Sequence, residues 1–140
     1  MIIYIRRFYN PQKFDYITYI PVHKTRLEER GFNQAHLLAE RIADYFNLNL
    51  AELLIREQAT VRQSKLSKLA RKENLKQQFK AINHTQIANS KLLLVDDIYT
   101  TGTTVNQAAK ILLEKEAKEV KIITLATGRD LNLNKENEKI

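Results

Sequence analysis

The sequence predicts an α/β fold with a central, mainly parallel sheet flanked by helices. Three short runs of β-branched and apolar residues alternate with two segments of helical periodicity, the order expected of parallel strands joined by crossover helices. The 140 residues contain no internal repeat and no linker rich in Pro or Ser, so they suit one domain. We expect that domain over residues 1–128, followed by a tail at 129–140 that lacks periodicity and frays.

In the first half of the chain, a strand is predicted at residues 15–20, where β-branched and aromatic residues run up to Pro21. A polar loop is expected next. A helix follows, because apolar residues recur at spacings of three and four over residues 35–46, with Asn33 as its cap. A short second strand is expected at residues 53–55.

The second half of the chain repeats this alternation. Residues 91–95 form a continuous apolar run, which is typical of a strand buried on both faces, and the run ends at Asp96 and Asp97. The next helix has its inner face within residues 105–112, and the last strand is predicted at residues 119–125.

Composition excludes several classes of protein and site. With 44% hydrophobic and 28% charged residues, the chain is typical of a globular protein rather than a disordered one. The absence of cysteine excludes disulfides, thiolate zinc sites and a cysteine nucleophile. No apolar run approaches the roughly 20 residues that span a bilayer. Because Arg6 and Arg7 follow the short apolar start, opposite to the order of a secretory signal, we expect a cytoplasmic protein.

The net charge of +7 is concentrated in one segment. Residues 56–80 carry eight basic and two acidic residues, whereas residues 1–55 and 81–140 are close to balanced. The segment fits a solvated helix face, a lid over a polyanionic small molecule or a patch that contacts nucleic-acid phosphates, and composition does not decide between them. The apolar spacing permits a helix in its second half, which includes Leu75 and Phe79.

Residues 92–104 carry the pattern richest in chemistry. A buried strand delivers the adjacent carboxylates of Asp96 and Asp97 to the carboxyl edge of the sheet, where ligands of open α/β folds bind. Four threonines around Gly102 then form a tight loop at a helix N-terminus, whose N–H groups, hydroxyls and dipole suit a phosphate. Because the carboxylates would repel that phosphate, ribose hydroxyls or the water shell of Mg²⁺ are their natural targets.

Three other interpretations fit this stretch less well. A simple helix cap would leave the coincidence of strand, acid pair and small-residue loop unexplained. A P-loop is excluded, because the sequence contains no G-x-x-x-x-G-K-[ST]. A receiver domain also ends a strand with an acid pair, but it needs several more strands downstream, and only one is predicted here.

The same stretch resembles the 5-phosphoribosyl-1-pyrophosphate (PRPP) signature of type I phosphoribosyltransferases, in which two acidic residues after a hydrophobic strand precede a loop rich in Thr and Gly. The resemblance implies the type I phosphoribosyltransferase fold for the domain. It also implies that Asp96 and Asp97 are the catalytic pair and contact the ribose hydroxyls. The residues implied to hold the 5′-phosphate are Thr100, Thr101, Gly102, Thr103 and Thr104.

Two further segments are similar to ComF-type competence proteins. In the first, a strand ending in Pro21 leads to the sequence R-L-E-E-R-G-F-N-Q at residues 26–34. In the second, residues 63–74 follow the pattern Q-x-x-L-x(4)-R-x-x-N before Phe79. Together with the PRPP signature, the resemblance covers roughly residues 15–127.

The resemblance implies two more groups of binding residues and a cofactor. The loop after the first strand would bind pyrophosphate through His23, Lys24, Thr25 and Arg26, with Arg30 and Asn33 as weaker candidates. The flexible catalytic loop of the family falls in the basic segment, and the residues of this expected basic lid are Arg62, Gln63, Lys65 and Arg71. Mg²⁺ is the expected cofactor, held through PRPP and water near the acid pair without a direct protein ligand, and zinc is not expected.

The implied function is a ComF-type phosphoribosyltransferase that binds Mg²⁺·PRPP and serves natural competence and DNA uptake. Its implied partners are PRPP, a competence helicase or translocase, single-stranded DNA and a second copy in a homodimer. The alternative is a non-catalytic module that senses PRPP, or one that binds DNA or a partner through residues 56–80. ComF-type proteins usually begin with a four-cysteine zinc element, so we expect this chain to lack that element and to have a reduced N-terminal hood.

Overall fold

A computed structural model describes residues 1–57 and 78–127. The expected lid residues Arg62, Gln63, Lys65 and Arg71 and the expected tail at 129–140 lie outside the described residues. The helices are α1 (Ile2–Phe8), α2 (Lys24–Arg30), α3 (Gln34–Phe46), α4 (His84–Ile87) and α5 (Thr103–Glu114), with a 3-10 turn at Pro11–Lys13. The strands are β1 (Tyr16–Tyr19), β2 (Leu54–Arg56), β3 (Phe79–Ala81), β4 (Lys91–Tyr99) and β5 (Glu119–Thr127).

The main sheet has three parallel strands in the order β1-β4-β5, which confirms the predicted α/β fold. Strand β4 lies in the centre, and its residues Leu92 to Val95 are fully buried. A continuous apolar run is what a central parallel strand requires, because helices cover both of its faces. At the free side of β1, Ile17 forms an isolated parallel bridge with Leu50.

Two apolar layers cover the two faces of this sheet. On one face, Ala39, Ile42 and Ala43 of α3 pack with Ile5 of α1 against β1, β4 and β5. On the other face, the inner side of α5 packs with β2, β3 and α4. The periodicity of residues 35–46 and 105–112 therefore predicted both long helices correctly, since each buries the stripe that the spacing defines.

The short strand predicted at residues 53–55 is present as β2, but it lies outside the parallel sheet. It pairs in antiparallel fashion with β3, with Leu54 opposite Ala81 and Arg56 opposite Phe79. The helix that the apolar spacing permits in the second half of the basic segment does not include Phe79. Phe79 and Ala81 are buried while Lys80 is exposed, so this segment follows the period of two that a half-buried strand needs.

The polar loop expected after the first strand is largely a helix, α2. His23 caps its start by accepting a hydrogen bond from the backbone N–H of Thr25, and Gly31 ends it in the left-handed conformation, with φ of 78°. None of its seven residues is buried. Because α2 has no apolar stripe, hydrophobic periodicity gave no signal for it.

Asn33 joins the end of β1 to the start of α3. Its side-chain oxygen accepts hydrogen bonds from the backbone N–H groups of Ala35 (3.0 Å) and His36 (3.4 Å), as the predicted cap should. Its side-chain N–H donates to the carbonyl of Ile20 at 3.0 Å, and the residue is buried. One side chain therefore fixes both ends of the segment that contains α2.

We expect Asn33→Ala to lower the free energy of unfolding by about 1–3 kcal/mol, because it removes a helix cap and leaves a buried carbonyl without its donor. Urea unfolding measures the change. The matched control is Asn10→Ala, which removes the single 3.3 Å cap of the exposed 3-10 turn. Asn33→Asp keeps the cap and loses the donation to Ile20, so it should fall between wild type and Asn33→Ala. Equal losses for Asn33→Ala and Asn10→Ala would contradict the linking role of Asn33.

Candidate functional site

The acid pair lies near the carboxyl end of the central strand. Asp96 is 9% exposed and sits opposite Thr124 of β5, while Asp97 is half-buried. The prediction that the strand ends just before the pair is wrong by four residues. Strand β4 continues to Tyr99, because Ile98 and Tyr99 remain paired with Ala126 and Thr127 of β5.

Each carboxylate of the pair accepts one backbone hydrogen bond. The N–H of Asp97 donates to Oδ1 of Asp96, and the N–H of Ile98 donates to Oδ1 of Asp97, both at 2.9 Å. Within residues 1–57 and 78–127, the two Oδ2 atoms accept no hydrogen bond. The backbone therefore orients the pair and leaves one oxygen of each carboxylate for a ligand.

Burial raises the pKa of Asp96 to about 7. Asp97 acts in both directions, because its backbone N–H favours the charged form while its carboxylate disfavours it. The Arg56 guanidinium lowers the pKa of Asp96, but less than burial raises it. The pKa of Arg56 is itself lowered, first by burial and then by the charge of Arg26. At both Asp96 and Arg56, burial therefore disfavours the charged form more strongly than the attraction between the two groups favours it.

The threonine loop leads directly into α5. Gly102 precedes the helix with φ of 80°, and its carbonyl accepts the N–H of Asn106 at 2.9 Å. The hydroxyls of Thr101 and Thr103 lie 2.8 Å apart. The ring of Tyr99 packs against the loop so closely that a Cβ on Gly102 would lie 2.8 Å from Cζ of Tyr99. The loop therefore requires glycine for its backbone conformation and for this contact.

A cavity of about 240 Å³ joins the acid pair to residues of the α2 segment. Its polar lining residues are Arg26, Arg30, Asn33, Gln34, Arg56, Asp96, Asp97 and Thr104. A second cavity of about 220 Å³ lies beside it and is lined by His23, Arg26, Arg56, Glu57 and Gln78. Arg26 and Arg56 line both cavities, so the two spaces share their cationic wall.

The structure brings some of the sequence-predicted site residues together and leaves others apart. Thr104 and Arg26 share the larger cavity with the acid pair. Thr100 and Gly102 line a small hollow of about 20 Å³ beside Asp96. His23 lines only the second of the two larger cavities. The predicted residues that are exposed and line neither larger cavity are Lys24, Thr25, Thr100, Thr101 and Thr103.

Arg56 is a site residue that the sequence analysis did not single out. Its guanidinium donates a 3.1 Å hydrogen bond to the side-chain oxygen of Gln78 and lies over the ring of Phe79, 5.4 Å from the centroid. Among the described residues no carboxylate lies within 4.0 Å of it. One feature of the sequence could have indicated Arg56 as a site residue: it is the first cation of the basic segment and directly follows a predicted strand. Its two supports come more than 20 residues later and could not be assigned to it from local pattern.

The described part of the chain contains no cluster of three or more His, Asp or Glu residues that could hold a metal ion. Within the same residues, no helix has the length and apolar character needed to cross a bilayer.

A model of the phosphoribosyl transferase domain matches residues 33–140, a range that includes Arg56, the acid pair and the threonine loop. The chain belongs to the phosphoribosyl transferase domain family. The match covers more than half of the chain and confirms the resemblance carried by the PRPP signature.

Two curated relatives place this family member among the ComF-type proteins. Competence protein F of Haemophilus influenzae is 33% identical over 109 residues, which are 76% of this chain and 48% of that protein. Competence protein ComFC of Bacillus subtilis is 39% identical over 118 residues, which are 82% of this chain and 45% of that protein. The chain thus spans about half the length of the curated relatives it matches.

The fold is also found in a solved phosphoribosyltransferase. The adenine phosphoribosyltransferase of Thermoanaerobacter pseudethanolicus superposes with a TM-score of 0.57 at 16% identity. The superposition covers 90% of this chain and 65% of that one. The likeness confirms the type I phosphoribosyltransferase fold.

We expect Gly102→Ala to destabilise the protein more than Gly31→Ala. Both glycines have φ near 80°, so alanine costs about 1–2 kcal/mol at either position. Only at Gly102 does the added Cβ meet a ring; at Gly31 no atom lies within 4 Å of it. Urea unfolding of the two variants compares the costs, and adding Tyr99→Ala to Gly102→Ala should recover the excess. Equal destabilisation of the two single variants would contradict the close packing of Tyr99.

The raised pKa of Asp96 predicts a pH-dependent contribution to stability. Between the ordinary pKa of 3.8 and the folded pKa of about 7, the folded protein retains a proton that the unfolded chain has lost. The contribution of this group to stability is therefore full below pH 3.8 and lost as pH rises through 7. Asp96→Asn should gain stability relative to wild type as the pH is raised from about 4 to 8. Urea unfolding across this range measures the difference, with the exposed Asp44→Asn as control. A difference that does not change with pH would contradict the prediction.

Proposed function

We propose that this ComF-type domain binds Mg²⁺·PRPP and transfers its phosphoribosyl group, with loss of pyrophosphate from the anomeric carbon. The observation that carries the proposal is that one cavity is lined by an acid pair, a threonine in the first turn of α5 and three arginines. PRPP has hydroxyls between two phosphate-bearing ends, so it needs acceptors in its middle and cationic or N–H donors at both ends.

Each group of residues in the cavity binds a different part of PRPP. Asp96 and Asp97 accept hydrogen bonds from the ribose hydroxyls through their free oxygens. The loop at residues 100–104 holds the 5′-phosphate with backbone N–H groups and hydroxyls at the start of α5. Arg26 and Arg56, which line both cavities, bind the pyrophosphate. Arg56 is the better positioned of the two, because Gln78 and Phe79 already fix its guanidinium.

The donor set of the site suits Mg²⁺ that arrives with its substrate. Mg²⁺ keeps several waters and takes one or two carboxylates together with substrate phosphates, rather than a dedicated protein cage. Asp96 and Asp97 offer two adjacent carboxylates, each with an oxygen that accepts no hydrogen bond among the described residues. When bound, the ion would neutralise part of the pyrophosphate charge.

The transfer exchanges one bond at the anomeric carbon for another. The bond to the pyrophosphate oxygen breaks, and pyrophosphate leaves with the electron pair. A new bond forms to the nucleophilic atom of the acceptor. Positive charge that develops on the sugar is stabilised by the nearby acid pair, and the arginines hold the leaving group, so the residues of the cavity act mainly by position and charge.

The proposed cellular role is DNA uptake during natural competence, together with a helicase or translocase. The names of the two competence-protein relatives support it, and the role concerns a whole protein of which this chain matches about half. The alternative is a PRPP-binding domain without transferase activity. Both functions require PRPP to bind, but only the transferase releases pyrophosphate.

Calorimetric titration with PRPP and Mg²⁺ tests the site. We expect wild type to bind, and Arg56→Met and Asp97→Asn to weaken binding about tenfold or more, because each removes a charge-assisted hydrogen bond. Thr101→Ala should weaken binding less. Lys110→Met is the control, since Lys110 is exposed on α5 and pairs only with Glu114 among the described residues. No binding at millimolar PRPP would overturn the proposal, and so would equal losses for Arg56→Met and Lys110→Met.

An assay of pyrophosphate release over a panel of bases and amines then separates transfer from sensing. Release that depends on the acceptor and on Asp97 supports the transferase. Binding without release for any acceptor would favour the sensing module and contradict transfer.

A further inference from the structure

The imidazole of His23 makes its polar contacts within the first turn of α2. Its Nδ1 accepts a hydrogen bond from the backbone N–H of Thr25 at 3.2 Å and also lies 2.5 Å from the hydroxyl of that residue. Because a backbone N–H can only donate, Nδ1 carries no proton, and the proton of the neutral ring is on Nε2. The His23 cap therefore exists only while Nδ1 is unprotonated.

Helix α2 depends on its caps, because none of its seven residues is buried. A helix this short is marginal when packing does not support it. At its C-terminal end, the N–H of Gly31 donates to the carbonyl of Leu27 at 2.8 Å. At its N-terminal end, the side-chain cap is His23. Loss of that cap would lower the fraction of molecules in which the first turn of α2 is formed.

Arg26 is the third residue of α2, in the turn that His23 caps. Its side chain lines both larger cavities. Among the described residues, its guanidinium forms no ion pair and no side-chain hydrogen bond. Arg56 differs, because Gln78 and Phe79 fix its guanidinium. Of the two cations, Arg26 is therefore the one whose place in the cationic wall depends on the backbone of α2.

We infer that His23 is a positioning residue for the pyrophosphate side of the site: its unprotonated Nδ1 caps α2 and thereby keeps Arg26 in the cationic wall. The inference rests on the proposed function, in which Arg26 and Arg56 bind the pyrophosphate of PRPP. The observed affinity is the intrinsic affinity multiplied by the fraction of molecules that are competent to bind. A weaker cap therefore weakens the binding of a diphosphate without removing any group that contacts it.

A direct contact between His23 and the ligand is the competing explanation, since His23 also lines the cavity of about 220 Å³. Replacement by asparagine separates the two. The side-chain oxygen of an asparagine N-cap accepts the same backbone N–H, but the side chain has no donor in the place of Nε2. Replacement by alanine removes both the cap and the donor.

Calorimetric titration of the full chain with inorganic pyrophosphate and Mg²⁺ tests the inference. We expect His23→Ala to weaken binding by up to about fivefold, the effect of a typical lost cap, and His23→Asn to bind like wild type. Arg26→Met should weaken binding about tenfold. The double variant His23→Ala/Arg26→Met should bind no more weakly than Arg26→Met alone, because the cap acts through Arg26. The matched control is Asn10→Ala, which removes the cap of the exposed 3-10 turn and should leave the affinity unchanged.

The pH profile of the same titration is a second readout, which a general loss of packing would not move. The charged groups that share the cavity with His23 are Arg26 on α2 and Arg56 and Glu57 at the end of β2. As the pH falls from about 8 to about 5, protonation of Nδ1 removes the cap, so the affinity of wild type should fall relative to that of His23→Asn. Titration of Asp96 and of pyrophosphate itself occurs with both proteins and cancels in the comparison.

Urea unfolding of each variant establishes that it is folded before its affinity is interpreted. Additive losses in the double variant, or equal losses in His23→Asn and His23→Ala, would overturn the inference in favour of direct contact. A relative rise in wild-type affinity at low pH would overturn it as well, because an imidazolium would then act on the ligand itself. Absence of pyrophosphate binding by wild type has the same consequence. Pyrophosphate binding in the expected pattern, without any PRPP binding, would contradict the proposed function and support the positioning role of His23.

Discussion

The site depends on the burial of one carboxylate at the end of the central strand. Strand β4 is covered on both faces and flanked by β1 and β5, so the side chain of Asp96 is carried into a region that has little access to water. Desolvation raises its pKa to about 7, and the opposing effect of the Arg56 charge on that pKa is smaller. A hydroxyl or cationic ligand stabilises a buried carboxylate more than it stabilises an exposed one. The reason is that the buried group has already lost its water, and the ligand replaces those contacts.

The cationic wall of the cavity arises from two segments that meet in space. Arg26 comes from α2, which His23 caps at its start and which lies in the segment that Asn33 links to the end of β1. Arg56 comes from β2 and is supported by Gln78 and Phe79 next to its partner strand. The two charges repel one another, since Arg26 lowers the pKa of Arg56. A ligand with two linked phosphates would reduce that repulsion, whereas a neutral ligand would not.

Local pattern predicted the elements whose stability is local or strictly periodic. Helices α3 and α5 and the core of β4 follow directly from spacing and from a continuous apolar run, and Asn33 was identified as a cap. Pattern failed where the deciding contact is distant in sequence. The β2–β3 pair joins residues more than 20 positions apart. The position of Arg56 depends on that pair, so local pattern did not predict it either. Hydrophobic periodicity did not predict helix α2 for another reason. The helix buries no side chain, so only its caps mark it in the sequence.

The burial of Asp96 and Arg56 as separate charges costs the fold stability. The pKa of Asp96 is raised and that of Arg56 is lowered, so burial disfavours the charged form of both groups when no ligand is bound. Direct pairing would relieve both, but among the described residues no ion pair joins them. The fold holds them apart, because Arg56 is anchored to Gln78 and Phe79, while Asp96 accepts a hydrogen bond from the backbone N–H of Asp97. A ligand placed between them can contact both charges at once, and its binding energy then adds to the stability of the folded state. The separation that costs the fold stability would therefore also let a ligand with hydroxyls beside phosphates, such as the proposed PRPP, contact both groups.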